Sequence, residues 1–124
     1  MTSSEIRLKT LTMKFGGTSL GTAEAIRQSA AITKAARANT ADRVAVVASA
    51  LHGVTDWLHE ATTAAARGDE RYLRIIAELR DLHRRCTEAL AEEESEVAVA
   101  EIDELLEGFI GFCESVRVLG EAGP

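Results

Sequence analysis

Two segments of the chain have the apolar pattern of short β-strands. The first runs from Ile6 to Phe15, and the second runs from Arg43 to Ser49 and contains the uninterrupted apolar stretch "VAVVA". An apolar run without polar alternation is typical of a strand that is covered on both faces. We therefore predict two strands, with the second buried on both faces.

The segment between these strands has the spacing of a helix. Small or apolar residues recur at three- and four-residue intervals, at Ala25, Ser29, Ile32 and Ala36. Thr22 is placed to cap the first turn. A strand, a helix and a second strand in this order form a βαβ unit, whose strands run parallel with a right-handed crossover. We predict such a unit over residues 6–51, with the small side chains of the helix close against the sheet.

The remaining segment, residues 52–120, has the apolar periodicity of three helices. The first is predicted from Asp56 to Arg67 and ends at Gly68, and Ser95 is the candidate cap of the third. The stripe of the second consists of Tyr72, Ile76, Leu79, His83, Cys86 and Leu90. The stripe of the third consists of Ile102, Leu105, Leu106, Phe109, Phe112, Cys113, Val116 and Leu119. The predicted fold class is α/β, with a parallel βαβ unit followed by three helices.

Composition and charge exclude several classes of protein. The chain has 124 residues, of which 46% are hydrophobic, and this is enough for one domain or part of one. The net charge of −6 and the scattered basic residues are unlike a nucleic-acid-binding surface. No apolar run is long enough to span a membrane, and the amino terminus lacks the apolar core of a signal peptide. We expect a cytoplasmic protein that binds neither nucleic acid nor membrane.

The cysteines and histidines do not indicate a metal site. Cys86 and Cys113 fall within apolar helical patterns, where a thiol usually packs as a small hydrophobic group. His52, His59 and His83 lack the spacing of zinc ligands. We predict two core cysteines and no metal centre.

The junction "TMKFGGTSLGTAEAI", residues 12–26, places two adjacent glycines between a strand and a helix. Gly16 and Gly17 would let backbone N–H groups approach an anion closely. Lys14 adds a positive charge, and Thr18 and Ser19 add hydroxyl groups. The pattern is not a Walker A loop, because its lysine precedes the glycines, and it lacks the GxGxxG spacing of a dinucleotide site. A plain turn beside a solvated lysine is the alternative interpretation.

A second junction, "VVASALHGVTDWL" at residues 46–58, repeats this order of strand, small residues, glycine, hydroxyl and helix. Ser49, Gly53 and Thr55 would emerge at the same sheet edge as the first glycines, and this is the edge where parallel sheets bind ligands. The alternative is that Ser49 ends a strand and Thr55 caps a helix. Two matching junctions on adjacent strands favour a shared site.

The segments "MKFGGTSLG" and "VVASALHGVTDWL" together resemble the amino-terminal region of the aspartate kinases, a branch of the amino acid kinase superfamily. The resemblance covers Thr12 to about Trp57. It implies that Lys14 contacts the transferring phosphate. The positions that it assigns to the phosphate loop and its hydroxyl pair are Gly16, Gly17, Thr18 and Ser19, and those that it assigns to the aspartate pocket are Ser49 and Thr55.

The resemblance also implies a reaction. ATP, carried with Mg²⁺, would donate its γ-phosphate to the side-chain carboxylate of L-aspartate, giving 4-phospho-L-aspartate for lysine, threonine and methionine biosynthesis. Because the family has a longer catalytic domain, residues 1–124 are expected to be its amino-terminal fragment and to be inactive alone. Uncovered sheet edges predict a homo-oligomer. A non-catalytic helical module used for assembly is the alternative function.

Overall fold

The structure is a computed structural model that describes residues 7–91 and 93–122. These residues form a mixed α/β fold with a two-stranded parallel sheet, four α-helices and one short 3-10 turn. The chain divides into a first unit that ends at His52 and a second unit that begins at Gly53. The predicted fold class, a parallel βαβ unit followed by three helices, is confirmed.

The sheet consists of β1 (Thr10–Phe15) and β2 (Arg43–Ala48). The two strands pair in parallel from Thr10 opposite Arg43 to Phe15 opposite Ala48, as the βαβ pattern predicts. The predicted start of β1 at Ile6 lies outside the described residues, and residues 7–9 are not strand. At the amino end of the pair, the N–H groups of Asp42 and Arg43 donate to the carbonyl of Lys9.

The helix α1 (Ala23–Asn39) connects the two strands and packs on the sheet. Its cap is confirmed, because the Ala25 N–H donates to Thr22 Oγ1 at 3.1 Å. The Ser29 side chain is buried, and its hydroxyl donates to the carbonyl of Ser19 at 3.0 Å, which ties the helix to the loop after β1. Ile32, which was expected on the same packed stripe, is 52% exposed.

The two faces of the sheet are covered unequally. On β1, the side chains of Leu11, Met13 and Phe15 are half-buried, whereas the alternate positions are exposed. The prediction that β2 is covered on both faces is wrong for the described chain, because Val46 and Val47 are 46% and 52% exposed. The physical reason is that α1 is the only α-helix among the described residues of the first unit, and one helix can cover only part of one sheet face.

The second unit is built from three helices, α2 (Val54–Ala66), α3 (Arg71–Leu90) and α4 (Ser95–Ala122). All three were predicted. The helix α2 begins two residues before the expected Asp56 and ends, as expected, near Gly68, which has a φ of +70°. The buried hydrophobic residues of this unit are Val54, Ala61, Ala64, Ala65, Tyr72, Ile75, Ile76, Leu79, Leu106 and Cys113.

The prediction of two core cysteines is confirmed for Cys113 and only partly for Cys86. Cys113 is fully buried, and Cys86 is half-buried on the stripe of α3. Burial raises the pKa of both thiols, because the thiolate loses its hydration. Both side chains therefore stay as neutral thiols near neutral pH.

The apolar stripe predicted for α4 is only partly packed. Leu106 and Cys113 are buried, but Leu105, Phe112 and Leu119 are 75%, 51% and 69% exposed. These three recur every seven residues, so they form a separate line that lies beside the packed stripe. The prediction that they share the packed stripe is wrong, because the stripe of eight residues is wider than the surface that α2 and α3 cover.

Charged groups join α3 to α4. The guanidinium of Arg80 donates to Asp103 at 2.9 Å and to Glu107 at 2.8 Å. Arg84 lies 3.7 Å from the other oxygen of Asp103. Because Arg80 and Asp103 are both about two-thirds buried, these charge-assisted bonds fix the alignment of the two helices more firmly than an exposed pair would.

Candidate functional site

The two strands end at one edge of the sheet, and the two junctions leave it side by side. Phe15 is the last residue of β1 and lies opposite Ala48 at the end of β2. The pairing continues one step further, because the Ser49 N–H donates to the carbonyl of Phe15 at 3.1 Å. Gly16 and Ser49 therefore begin their junctions next to each other, at the edge where parallel sheets bind ligands.

The glycine loop, residues 16–21, has open space beside its first glycine. A Cβ built on Gly16 would meet no atom within 4 Å, and one built on Gly17 would make only ordinary contacts with His52, at 3.6 and 3.7 Å. Neither residue has a positive φ. Neither backbone conformation nor internal packing therefore requires glycine at these two positions. An anion held by backbone N–H groups does require such uncovered backbone.

The rest of the glycine loop is anchored. Thr18–Leu20 form a 3-10 turn, in which the Leu20 N–H donates to the carbonyl of Gly17 at 3.2 Å and the Leu20 side chain is buried. A Cβ on Gly21 would lie 3.3 Å from the Gly17 carbonyl oxygen, so a side chain there would be tight against the loop backbone. The side chains of Thr18 and Ser19 are exposed. The loop therefore presents two hydroxyl residues from a fixed backbone.

Lys14 lies on the open face of the sheet, which we define by the exposed side chains of Thr10, Thr12 and Lys14 on β1. It is two residues before Gly16 and pairs with Val47 in the strand register. Within the described part of the chain it makes no ion pair. Its ammonium group is thus free to neutralise an anion bound at this edge.

The two residues assigned to the aspartate pocket are placed differently. Ser49 is exposed at the sheet edge, and its hydroxyl donates to the carbonyl of Ala50 at 2.8 Å. Thr55 belongs to the second unit, where it is exposed in the first turn of α2. The alternative that Thr55 caps this helix is wrong, because the cap position is Gly53 and Thr55 lies inside the helix.

The structure therefore collects most of the predicted site in one unit. The residues that it brings to the carboxyl edge of the sheet are Lys14, Gly16, Gly17, Thr18, Ser19 and Ser49. Thr55 is in the other unit. No function was assigned to His52 from the sequence, and the structure places this residue against Gly17.

Sequence reasoning also missed a basic groove at the opposite edge of the sheet. This groove is an open cavity of about 700 Å³, lined by Lys34 and Arg37 from the last turns of α1 and by Arg43 from the start of β2. Asp42 also lines it. The groove could have been predicted from Lys34 and Arg37, which are three residues apart on α1, together with Arg43 at the start of the next strand. The groove is a competing place for an anion.

The overall net charge of −6 conceals a strong difference between the two units. The first, up to His52, contains seven Lys and Arg residues and three Asp and Glu residues. The second, from Gly53, contains seven Lys and Arg residues and seventeen Asp and Glu residues. The unit that carries the glycine loop is therefore the positively charged one, which favours the approach of phosphate groups.

Metal-binding clusters and membrane-spanning helices are both absent from residues 7–91 and 93–122. No group of three or more His, Cys, Asp or Glu side chains in these ranges could hold a metal ion. No helix there combines the length and the apolar character needed to cross a membrane.

Comparisons with known proteins assign no family to the chain. A scan against models of protein families finds no match. A search of curated protein sequences also finds none. A functional assignment therefore rests on the residues of the two junctions and on the edge of the sheet from which both junctions begin.

Proposed function

We propose that this chain forms the phosphate-binding side of an aspartate kinase catalytic domain. Such an enzyme transfers the γ-phosphate of ATP to the side-chain carboxylate of L-aspartate and releases ADP and 4-phospho-L-aspartate. The observation that carries the proposal is the uncovered backbone of Gly16 and Gly17, two residues after Lys14 and at the carboxyl edge of a parallel sheet. No structural need within the described residues accounts for these glycines.

The chemistry of this reaction matches what the edge supplies. The attacking carboxylate of aspartate is already ionised near neutral pH, so no general base is required. An oxygen of this carboxylate forms a bond to the γ-phosphorus while the bond to the ADP oxygen breaks. The main obstacle is the repulsion between two anions, and catalysis of this kind rests on positioning and on neutralising charge.

Different residues at this edge would neutralise the phosphate charge and hold the phosphate oxygens. Lys14 would place its ammonium group against the transferring phosphate, and the N–H groups of Gly16 and Gly17 would hold the phosphate oxygens. Mg²⁺ bound to ATP would neutralise further phosphate charge. The exposed hydroxyls of Thr18 and Ser19 are placed to donate to the same anion.

The aspartate side of the site would come from the second junction. Ser49 leaves the sheet beside Gly16, so a substrate that contacts Ser49 is close to the glycine loop. The hydroxyl of Thr55 makes no hydrogen bond within the described residues, and it is exposed. The resemblance, rather than any distance between these two residues, is the reason for assigning both hydroxyl groups to aspartate.

One observation favours a second candidate function, the non-catalytic helical assembly module. Leu105, Phe112 and Leu119 form an exposed apolar line along α4. In that function the protein would self-associate through α4, and Leu105→Glu would lower the mass measured by light scattering. The protein would then show no aspartate-dependent release of ADP.

The proposed function is tested by assaying the protein as its gene encodes it. We expect ADP release to require both ATP and L-aspartate. Hydroxylamine should trap the product as a hydroxamate, because 4-phospho-L-aspartate is a reactive acyl phosphate. ADP release that does not depend on aspartate, or that yields no hydroxamate, would show that the enzyme is not an aspartate kinase.

Thr55→Ala is expected to raise the KM for aspartate more than the KM for ATP in this assay. Because Thr55 is not the helix cap, its loss should change the free energy of unfolding by less than about 0.5 kcal/mol. Parallel kinetic titrations of the two substrates, with urea unfolding as the stability control, separate these effects. Equal changes in both KM values would remove Thr55 from the aspartate pocket.

A further inference from the structure

The side chain of His52 lies against the glycine loop. Its ring Nδ1 is 3.6 Å from the position that a Cβ of Gly17 would occupy, and its Cα is 3.7 Å from that position. Its own Cβ lies 3.5 Å from the corresponding position at Gly21. The side chain is nevertheless exposed to solvent. His52 therefore borders the space beside the loop without being enclosed by it.

His52 stands at the boundary between the two units of the chain. It is the last residue of the first unit, and Gly53, which follows it, has a φ of +84°. This left-handed conformation favours glycine, and α2 begins at the next residue. The histidine lies at ordinary van der Waals distance from the Cβ positions of Gly17 and Gly21, close to the loop backbone.

We propose that His52 is a binding residue of the anion site, where its protonated imidazole adds a positive charge to an oxyanion held at Gly16 and Gly17. This inference rests on the proposed function and deepens it, since the resemblance gives the residue at this position no role. Histidine is the side chain that ordinarily changes its charge between about pH 5 and pH 8. The site should therefore bind anions more tightly on the acidic side of this range.

The two segments that border His52 contain no other charged side chain. The loop segment that it contacts, residues 17–21, contains no acidic or basic side chain, and neither do the other residues from Ser49 to Gly53. Lys14 is the other cation assigned to the same anion. A pH dependence of binding at the loop would thus report on His52.

The test uses sulfate as the probe, because sulfate keeps its double negative charge across this pH range, whereas phosphate does not. Binding is followed by NMR in the ¹⁵N-labelled chain, from the amide signals of Gly16, Gly17 and Thr18. We expect sulfate to bind about fivefold more tightly near pH 5.5 than near pH 8, which is the size of one exposed ion pair. The ring signals of His52 should move on binding, and those of His59 and His83 should not.

Two variants provide the controls. In His52→Gln, sulfate should still bind at the loop, but with the same affinity at both pH values. In His59→Gln, which replaces an exposed histidine of α2, the pH dependence should persist. Loop binding in the wild-type chain that is independent of pH would overturn the role of His52 and leave the phosphate site intact. Sulfate that moves none of the loop amides would contradict both proposals.

Discussion

Replacing Lys14 by alanine is expected to lower kcat for aspartate phosphorylation by about 1,000-fold in the protein as its gene encodes it. The ammonium group of Lys14 is assigned to the charge that gathers on the phosphate during transfer, so its loss raises the barrier of the chemical step. The effect on the fold should be small, because Lys14 is exposed on the open face of the sheet. The hydroxamate assay measures kcat, and thermal unfolding checks the fold.

The matched control for this change is Lys34→Ala. Lys34 is an exposed lysine of α1 that lines the basic groove at the opposite sheet edge. Its removal takes away the same charge from the same unit, so we expect kcat to stay within about twofold of the wild-type value. Near-normal turnover in Lys14→Ala would remove this lysine from the mechanism. An equal loss in both variants would show that net charge, rather than the position of Lys14, matters.

Gly120→Ala is expected to destabilise the protein by about 2 kcal/mol. A Cβ at Gly120 would overlap the carbonyl oxygen of Ala66 and lie 3.1 Å from the Cα of Ala66, at the end of α2. These are backbone atoms, which cannot rotate away as a side chain can. Urea unfolding should show a lower midpoint with an unchanged m-value.

Two other glycines of α4 give the opposite expectation. A Cβ at Gly108 or at Gly111 would meet no atom within 4 Å. Alanine at either position should therefore stabilise the protein by about 0.5 to 1 kcal/mol, because glycine is a poor helix former. If Gly120→Ala were also stabilising, the backbones of α2 and α4 could not approach as closely as they do in this structure.

Local patterns were enough to predict the elements of the fold. The uninterrupted apolar run of β2, the Thr22 cap and the glycine at residue 68 each act within a few residues, so the sequence contains their whole physical cause. The packed stripe of α3 was predictable for the same reason. Apolar residues at helical spacing can pack only on one side of a helix.

The extent of burial was not predictable in this way. Periodicity shows which face of an element can be covered, but the neighbouring elements decide how much of that face is covered. For this reason Val47 of β2 and Leu105 of α4 are exposed although their patterns predict burial. A single helix packs on the sheet within the first unit, and α4 offers a wider apolar surface than its neighbours cover.

In the candidate site, too, the features set by local sequence were predictable, and the contacts between distant segments were not. The residues of the glycine loop were identified from sequence, because they are contiguous and follow a strand. The contact between His52 and Gly17 joins residues that are far apart in sequence, so no local pattern contains it. The basic groove likewise combines α1 with the start of β2. Contacts of this kind follow from the folded backbone rather than from a local pattern.

The most direct test of phosphate binding at Gly16 and Gly17 is an NMR titration of the ¹⁵N-labelled chain with Mg²⁺–ATP. We expect the largest amide shift changes at Gly16, Gly17, Thr18 and Ser19. The largest changes would instead fall on Lys34, Arg37 and Arg43 if the nucleotide bound in the basic groove. That result, with the glycine loop unchanged, would contradict the proposed phosphate site.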